Sequence, residues 1–425
     1  MPVSPLRTGA AALALCIIAT ACSSSGSNNS GGGTSGTPAT GTNSGSSSAS
    51  GSNGAPQASG TPVKIGMIFE QGANGDPSGP NGVRATVAYY NKEKGGIDGH
   101  PIQLVECSEN ADAASVQTCA RQFANDSTIK AVLVGGTLQV ADDVLYQNLG
   151  PNLAILGCCP ASAAAFAAKN AYWYGSGSFG VIPGLGVLAL KTLKNVKTAL
   201  LIYLDIPSLK QTVQGLLVPV LQKAGVTVKQ QTISPTATDV LGPLTAGGAT
   251  SADVVMPIMA APQCIQLAKG LQQLGSKAAV VASPLCFDPS VQKAVGAQIE
   301  GWTEVQIGGG TFDQSAAATD AKRVLSTYGS QDTAAQGAYA FADFGVASTL
   351  FDQMSKIGFD KLTPQSVAAA VKSYTGPVPL LAPSIKCGVF PAAPSVCNSF
   401  IKAFQIKGGK IVPADGGNYI SIANG

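Results

Sequence analysis

Ten cysteines and one histidine set the first limits on the chemistry open to this chain of 425 residues. Cys107 with Cys119, Cys264 with Cys286, and Cys387 with Cys397 each close a short loop, so three local disulfides are expected. Such cysteine usage belongs to an oxidising compartment. No CxxC pair occurs and His100 stands alone, so no metal site is expected. The adjacent Cys158 and Cys159 either form a vicinal bridge or stay as thiols. As nucleophiles they would need a neighbouring base. His100 lies in a glycine-rich turn, where it reads as a solvated or capping residue. No constellation of carboxylates or lysines replaces it, so no catalytic residue is assigned and the chain is not expected to be an enzyme.

One stretch imitates a cofactor loop. Gly175-Ser176-Gly177-Ser178-Phe179-Gly180 has dinucleotide-loop spacing, with a helix after it and Asp205 ending the next strand. The preceding segment, 170–174, is short and aromatic rather than a buried aliphatic strand, so no nicotinamide or other cofactor is expected. Tyr172, Trp173 and Tyr174 either line a cleft mouth or pack a crossover, packing being the favoured reading. Tyr339, Phe341 and Phe344 read as core.

The elements that must position these residues follow from the periodicity. Short β-branched runs alternate with helix-period segments, the pattern of parallel α/β units. Strands are expected at 63–69, 102–106, 130–134 and 153–156, with helices at 81–94, 112–125 and 140–148. A second series places strands at 198–204, 226–232, 253–258 and 278–282. Its helices fall at 209–223, where Pro219 should kink or break the run, and at 265–274. The segment 302–307 reads as a link, 335–357 as a long apolar-faced helix, and 399–406 with 410–412 as a terminal hairpin. Two βα series imply two doubly wound lobes, and ligands of such sheets bind outside the carboxyl ends of the strands.

Composition agrees. About 360 residues follow Pro62, more than the ~250–300 a single core usually serves. Hydrophobic residues make up 45% and charged residues 12%, with a net charge of +3, and no basic run appears. Nucleic-acid binding is therefore not expected. Arg7, the apolar run 10–18 and the small residues Ala19-Thr20-Ala21 read as a secretory signal over 1–21. The small residues before Cys22 resemble a bacterial lipobox, with Ala19 where leucine is usual, which implies a lipidated Cys22 and an extracytoplasmic protein held on the cell membrane. The stretch 22–61 is Ser/Gly-rich and uncharged. It reads as a flexible leash of ~35 Å root-mean-square span.

The folded part resembles the type I periplasmic binding proteins, in the branch named for branched-chain amino acid importers. Val63-Lys64-Ile65-Gly66 followed by Asn81-Gly82 is similar to that family's opening strand and helix. Tyr90-Asn91-Lys92-Glu93-Lys94-Gly95-Gly96-Ile97-Asp98-Gly99-His100-Pro101-Ile102 resembles its signature turn, and Lys130-Ala131-Val132-Leu133-Val134-Gly135-Gly136 the strand before a ligand loop. The resemblance implies lobes at 62–180 with 309–376 and at 181–308 with 377–425, hinge closure on a small solute, and an ABC permease as partner. A monomer is expected. It implies ligand contacts at Gln71 and Asn74 after the first strand, Gly136 and Thr137 after the third, and Cys159, Ala161 and Ser162 after the fourth. In the second lobe they fall on Asp205 and Ser208, Met259 and Ala261, and Leu285 and Phe287.

Two departures bear on the ligand. Amino-acid binders of the family often hold the ammonium with a second-lobe carboxylate, and that position here resembles Leu285, with Asp288 the nearest acid. The Arg and Asp common near the first crossover are missing from 174–180. A buried ammonium without a counter-charge is costly, so the family's branched-chain amino acid is not carried over, and the expected solute is an amino acid, an amide or a small carboxylate, with the ammonium left open. The function implied is capture of a small polar solute for an ABC importer. The alternatives are a sensor of the same fold and, more weakly, an exported hydrolase.

Overall fold

The computed structural model describes residues 57–71, 75–138, 141–332, 335 and 337–423. The stretch 1–21 read as a signal, Cys22, most of the stretch 22–61 read as a leash, and Asn74 lie outside the described residues.

The first sheet consists of β1 (Val63–Glu70), β2 (Ile102–Glu109), β3 (Ile129–Val134), β4 (Ile155–Gly157) and β5 (Ala171–Trp173). They run in the order β2-β1-β3-β4-β5, all parallel. Strand alternation divides its side chains between two faces. Ile65, Met67 and Leu133 pack with Phe344 and Phe351 of the long helix Ala338–Ile357, while Ile68, Val132 and Val134 pack with Phe123. Burial on both faces is what a run such as Val63-Lys64-Ile65-Gly66-Met67-Ile68 predicts for a parallel sheet.

The second sheet contains β6 (Thr198–Leu204), β7 (Thr227–Ile233), β8 (Val254–Ile258), β9 (Ala279–Ala282), β10 (Thr303–Gln306), β11 (Phe400–Lys407), β12 (Lys410–Pro413) and β13 (Tyr419–Ser421). Its order is β12-β11-β10-β9-β8-β6-β7, with β13 also on β11. The strands from β7 to β10 are parallel, and β11 joins antiparallel to β10. Leu201, Met256 and Ile258 face one apolar layer, and Leu200, Ile202 and Val255 the other. The α/β architecture of two doubly wound lobes joined by crossovers is therefore present.

Several elements differ in detail from the sequence reading. The helix expected at 209–223 is split into Pro207–Thr212 and Val218–Lys223 by a π-turn at Val213–Leu217. The widened turn accommodates Pro219, which has no N–H to give and whose ring crowds the carbonyl four residues back. The aromatic stretch 170–174 contains a true edge strand, β5, whose Trp173 pairs with Val396. The link at 302–307 contains β10, a full member of the second sheet. The segment expected to begin the second lobe at 377 packs instead with the first core, through Val378, Leu380, Leu381, Ile385 and Cys397. Its backbone is held there by Cys397 N–H to Trp173 O (3.0 Å) and Gly309 N–H to Leu380 O (2.7 Å).

The chain passes between the two cores three times: after β5, after β10, and between Cys397 and Ile401. The first two departures leave the carboxyl ends of β5 and β10. The third enters β11 where Lys402 lies opposite Gln306, the last residue of β10. The carboxyl edges of both sheets therefore adjoin the crossovers. No helix among the described residues is long and apolar enough to cross a membrane.

Candidate functional site

At the carboxyl edge of the first sheet, two turns lock together. The helix Ser78–Tyr89 follows β1, and its Gly79 lies so close to the turn after β3 that a Cβ there would sit 2.3 Å from Gly136 N. Gly136 has φ 87°, a left-handed conformation that glycine adopts without strain. Its N–H donates to Asp343 Oδ2 at 2.6 Å. Asp343 is 1% exposed, and burial pushes its carboxyl well above the usual range. Tyr339, from the first turn of the same helix, lies beside Gly136, and burial pushes its phenol up to about 12.

Two hydroxyls at these turns are unspent. Ser78 is fully buried at the start of its helix, and Thr137 follows Gly136; neither Ser78 Oγ nor Thr137 Oγ1 has a hydrogen-bond partner among the described residues. Buried hydroxyls normally have one. The Ser78 N–H is already taken by Asp76 Oδ1 at 2.8 Å. The sequence reading started this helix at Asn81 and missed Ser78. The signal was Asp76-Pro77-Ser78, a polar and proline-containing start before the apolar period. Asn81 is instead a brace, donating to Ala335 O (2.7 Å) and accepting from Ser330 N (2.6 Å).

The turn after β4 carries Cys158 bonded to Cys159, both buried, with Ala161 exposed beyond them. Ser162 caps the helix Ala163–Ala167 through Ala165 N (2.9 Å) and donates to buried Asp142 Oδ2 (2.5 Å). Its hydroxyl is fully engaged. Gln71 is exposed and donates to Asn110 Oδ1 (2.9 Å). The cofactor-like glycines answer to packing. A Cβ at Gly175 would lie 2.1 Å from Cys158 O, one at Gly177 2.3 Å from Pro160 O, and one at Gly180 2.1 Å from Ser176 Oγ. Trp173 and Tyr174 are buried, donating to Ala165 O (2.8 Å) and Val371 O (3.1 Å). His100 stacks on Phe359 and meets Thr61 O at 2.8 Å.

The carboxyl edge of the second sheet has a different character. Asp205 and Ser208 are exposed after β6, and Ala261 opens the helix Ala261–Gln273 after β8. Met259 and Phe287 point into the second core, each 2% exposed, and so supply packing in this arrangement. Leu285 is 58% exposed after β9 and Ile206 37% exposed after β6. Ser283, 5% exposed directly after β9, has no partner for its Oγ among the described residues. Asp288 accepts from Ser290 N (2.8 Å) as a helix cap. A disulfide from Cys264 to Cys286 fastens the Leu285 turn to the helix after β8. The pairs Cys107–Cys119 and Cys387–Cys397 are also bonded.

Two sheets that bring their carboxyl edges to shared crossovers, both edges offering unpartnered hydroxyls and the second adding exposed apolar side chains, define a two-lobed binding protein. The chain belongs to the periplasmic binding protein family, whose model matches residues 62–386. Among solved structures it is similar to a leucine-binding protein from Thermotoga maritima (14% identity, TM-score 0.62, 85% of this chain and 99% of that one). It is also similar to a fatty acid ABC transporter substrate-binding protein from Thermomonospora curvata (15%, 0.63, 87% and 93%). A third is an ABC transporter solute-binding protein of R. palustris in complex with 4-hydroxybenzoate (13%, 0.63, 83% and 95%). At these identities the likeness establishes the fold, that of type I periplasmic binding proteins. No curated protein matches the chain by sequence.

Proposed function

We propose that this protein captures a small carboxylate-bearing solute between its two lobes by hinge closure and delivers it to an ABC importer. The observation that carries the reading is the pair of unpartnered hydroxyls, Ser78 Oγ and Thr137 Oγ1, on two interlocked turns at the carboxyl edge of the first sheet. A carboxylate accepting both would satisfy buried groups that now lack partners, and it would sit near the amino end of the helix Ser78–Tyr89, where negative charge is favoured. Closure would bring the apolar Leu285 and Ile206 over the rest of the solute. At the Leu285 turn, where the family often holds an ammonium, the nearest acid among the described residues is Asp288, which is engaged as a helix cap, and this supports an acid without an ammonium. Structural relatives that bind leucine, a fatty acid and 4-hydroxybenzoate share a carboxylate and an apolar body as their ligand chemistry. Four disulfides among the described residues fit an extracytoplasmic site of action. Lipid on Cys22, with the stretch 22–61 as leash, would hold the protein at the membrane beside its permease.

The test is a thermal-shift panel of aliphatic amino acids, their keto-acid analogues, amides and aromatic carboxylates. Bound solute stabilises the fold by about 2.7 kcal/mol at a hundredfold excess over Kd. Acids lacking an ammonium should lead the panel, and the Ser78→Ala/Thr137→Val variant should lose about a hundredfold in their affinity. Shifts led by leucine or valine would keep the clamp and overturn the argument from Leu285. Unchanged affinity in the double variant would remove the two hydroxyls from the site.

A further inference from the structure

One cavity is lined by residues other than the strand-end turns considered so far. It measures about 630 Å³ and sits across the crossovers. Thr349, Gln353 and Lys356 of the helix Ala338–Ile357 form one wall. Lys402 of β11 and Tyr419 of β13 form the opposite wall, and Tyr374 with the proline-rich strap 377–383 closes the side. One wall thus belongs to the first core's elements and the other to the second sheet. That volume matches a site for a small organic molecule.

The lining groups point to a ligand. Gln353 is 5% exposed, and its Nε2 donates to Tyr174 Oη (3.1 Å) and Thr349 O (3.2 Å). The Thr349 carbonyl requires a donor, which fixes the amide orientation. Gln353 Oε1 is then left buried with no donor among the described residues. Lys356, one turn further along the same face, has no carboxylate within ion-pair distance among the described residues. Asp352, which also lines the cavity, is engaged by the Tyr90 hydroxyl at 2.6 Å. Lys402 is already neutralised by Asp313 at 2.5 Å and lies over the Tyr419 ring at 4.6 Å. The site therefore offers one free cation, one free buried acceptor and a wall of tyrosine and proline.

We propose that this cavity is a second ligand site, independent of the solute cleft, for a small organic acid with a flat apolar body and a hydroxyl or amide N–H. Its carboxylate pairs with Lys356, its donor satisfies Gln353 Oε1, and its body lies against Tyr374 and the strap. An occupant touches elements of both lobes at their junction. It therefore changes the relative energy of hinge positions, and its binding and solute binding are reciprocally coupled.

The test uses the full chain and two matched acids, 4-hydroxyphenylacetate and phenylacetate, followed by isothermal titration calorimetry. The Ser78→Ala/Thr137→Val background keeps the strand-end turns from contributing. In that background 4-hydroxyphenylacetate should bind at one equivalent and about fivefold more tightly than phenylacetate, which lacks the donor. Exposed Lys356→Glu should weaken both acids by about tenfold. Gln353→Met should abolish the difference between them. Absence of binding by either acid, or affinities indifferent to Lys356→Glu, would overturn the proposal. Retained solute binding in the Ser78/Thr137 variant would count against the cleft reading alone.

Discussion

The carboxyl edges of the two sheets are built from the same βα grammar and differ in their balance of polar and apolar groups. The first edge is polar and over-determined. Gly79 and Gly136 interlock, a buried carboxyl holds the Gly136 N–H, and Ser78 and Thr137 keep hydroxyls in reserve. The second edge exposes Leu285 and Ile206 while its inward-pointing Met259 and Phe287 fill the core. A solute meeting the first edge gains directional hydrogen bonds. Meeting the second, it gains burial that is indifferent to orientation. Under the proposed function, this asymmetry would give recognition of the head group to the first lobe and closure over the body to the second.

The largest expected effect comes from loosening the second edge. The Cys264–Cys286 bond, 22 residues apart in sequence, ties the Leu285 turn to the helix after β8. Replacing both with alanine should cost about 3 kcal/mol of stability by the loop-entropy relation. If the second edge only closes over the solute, denaturant unfolding should register that loss while solute affinity falls only modestly. An affinity collapse with stability intact would reverse the division of roles.

A smaller change sharpens the comparison by altering the charge of the apolar wall. Leu285 is exposed, so Leu285→Asp should fold normally. It should weaken binding of an ammonium-free acid by about tenfold, through like-charge repulsion and lost burial. The same variant should gain affinity for leucine, because it supplies the counter-charge that the wild type lacks. Calorimetry on both ligands decides it. An unchanged preference would mean that Leu285 does not face the solute.

The alternation of strand and helix made the two-sheet fold legible, because Val63-Lys64-Ile65-Gly66 and Thr198 to Leu204 carry their partners' spacing within a short window. What escaped was non-local. β5 pairs with β4, but its outer side is covered only because Trp173 bridges to Val396, over two hundred residues away in sequence, and the strap 377–383 belongs to the first core because Gly309 bonds Leu380. Propensity contains neither fact. At the site, the turn after β3 was readable from its glycines. Ser78 was missed because Pro80 and Gly82 obscured where its helix begins. Ser162 looked like a ligand group, and only the structure reveals that Asp142 and the Ala165 N–H already occupy it. The hinge cavity draws on the segments around 315, 353, 378, 402 and 419, so no local pattern announces it.

The smallest expected effect tests why the first edge is rigid. Asp343 binds its proton more tightly when folded than when unfolded, because burial disfavours the charged form, so its folded pKa is raised. Its contribution is therefore fully present below the ordinary carboxylate pKa of about 4 and is lost as pH rises toward the folded value. Asp343→Asn keeps an acceptor for Gly136 N–H and cannot ionise. Its melting temperature should fall less than that of the wild type between pH 4 and pH 9, with the two closest at the acid end. Parallel curves would mean that the buried carboxyl does not titrate across this range, and that the polar edge owes its rigidity to the glycine contacts alone. If the curves diverge and solute affinity declines with the same pH profile, the protonated carboxyl beneath Gly136 is part of what holds the first edge in its binding geometry.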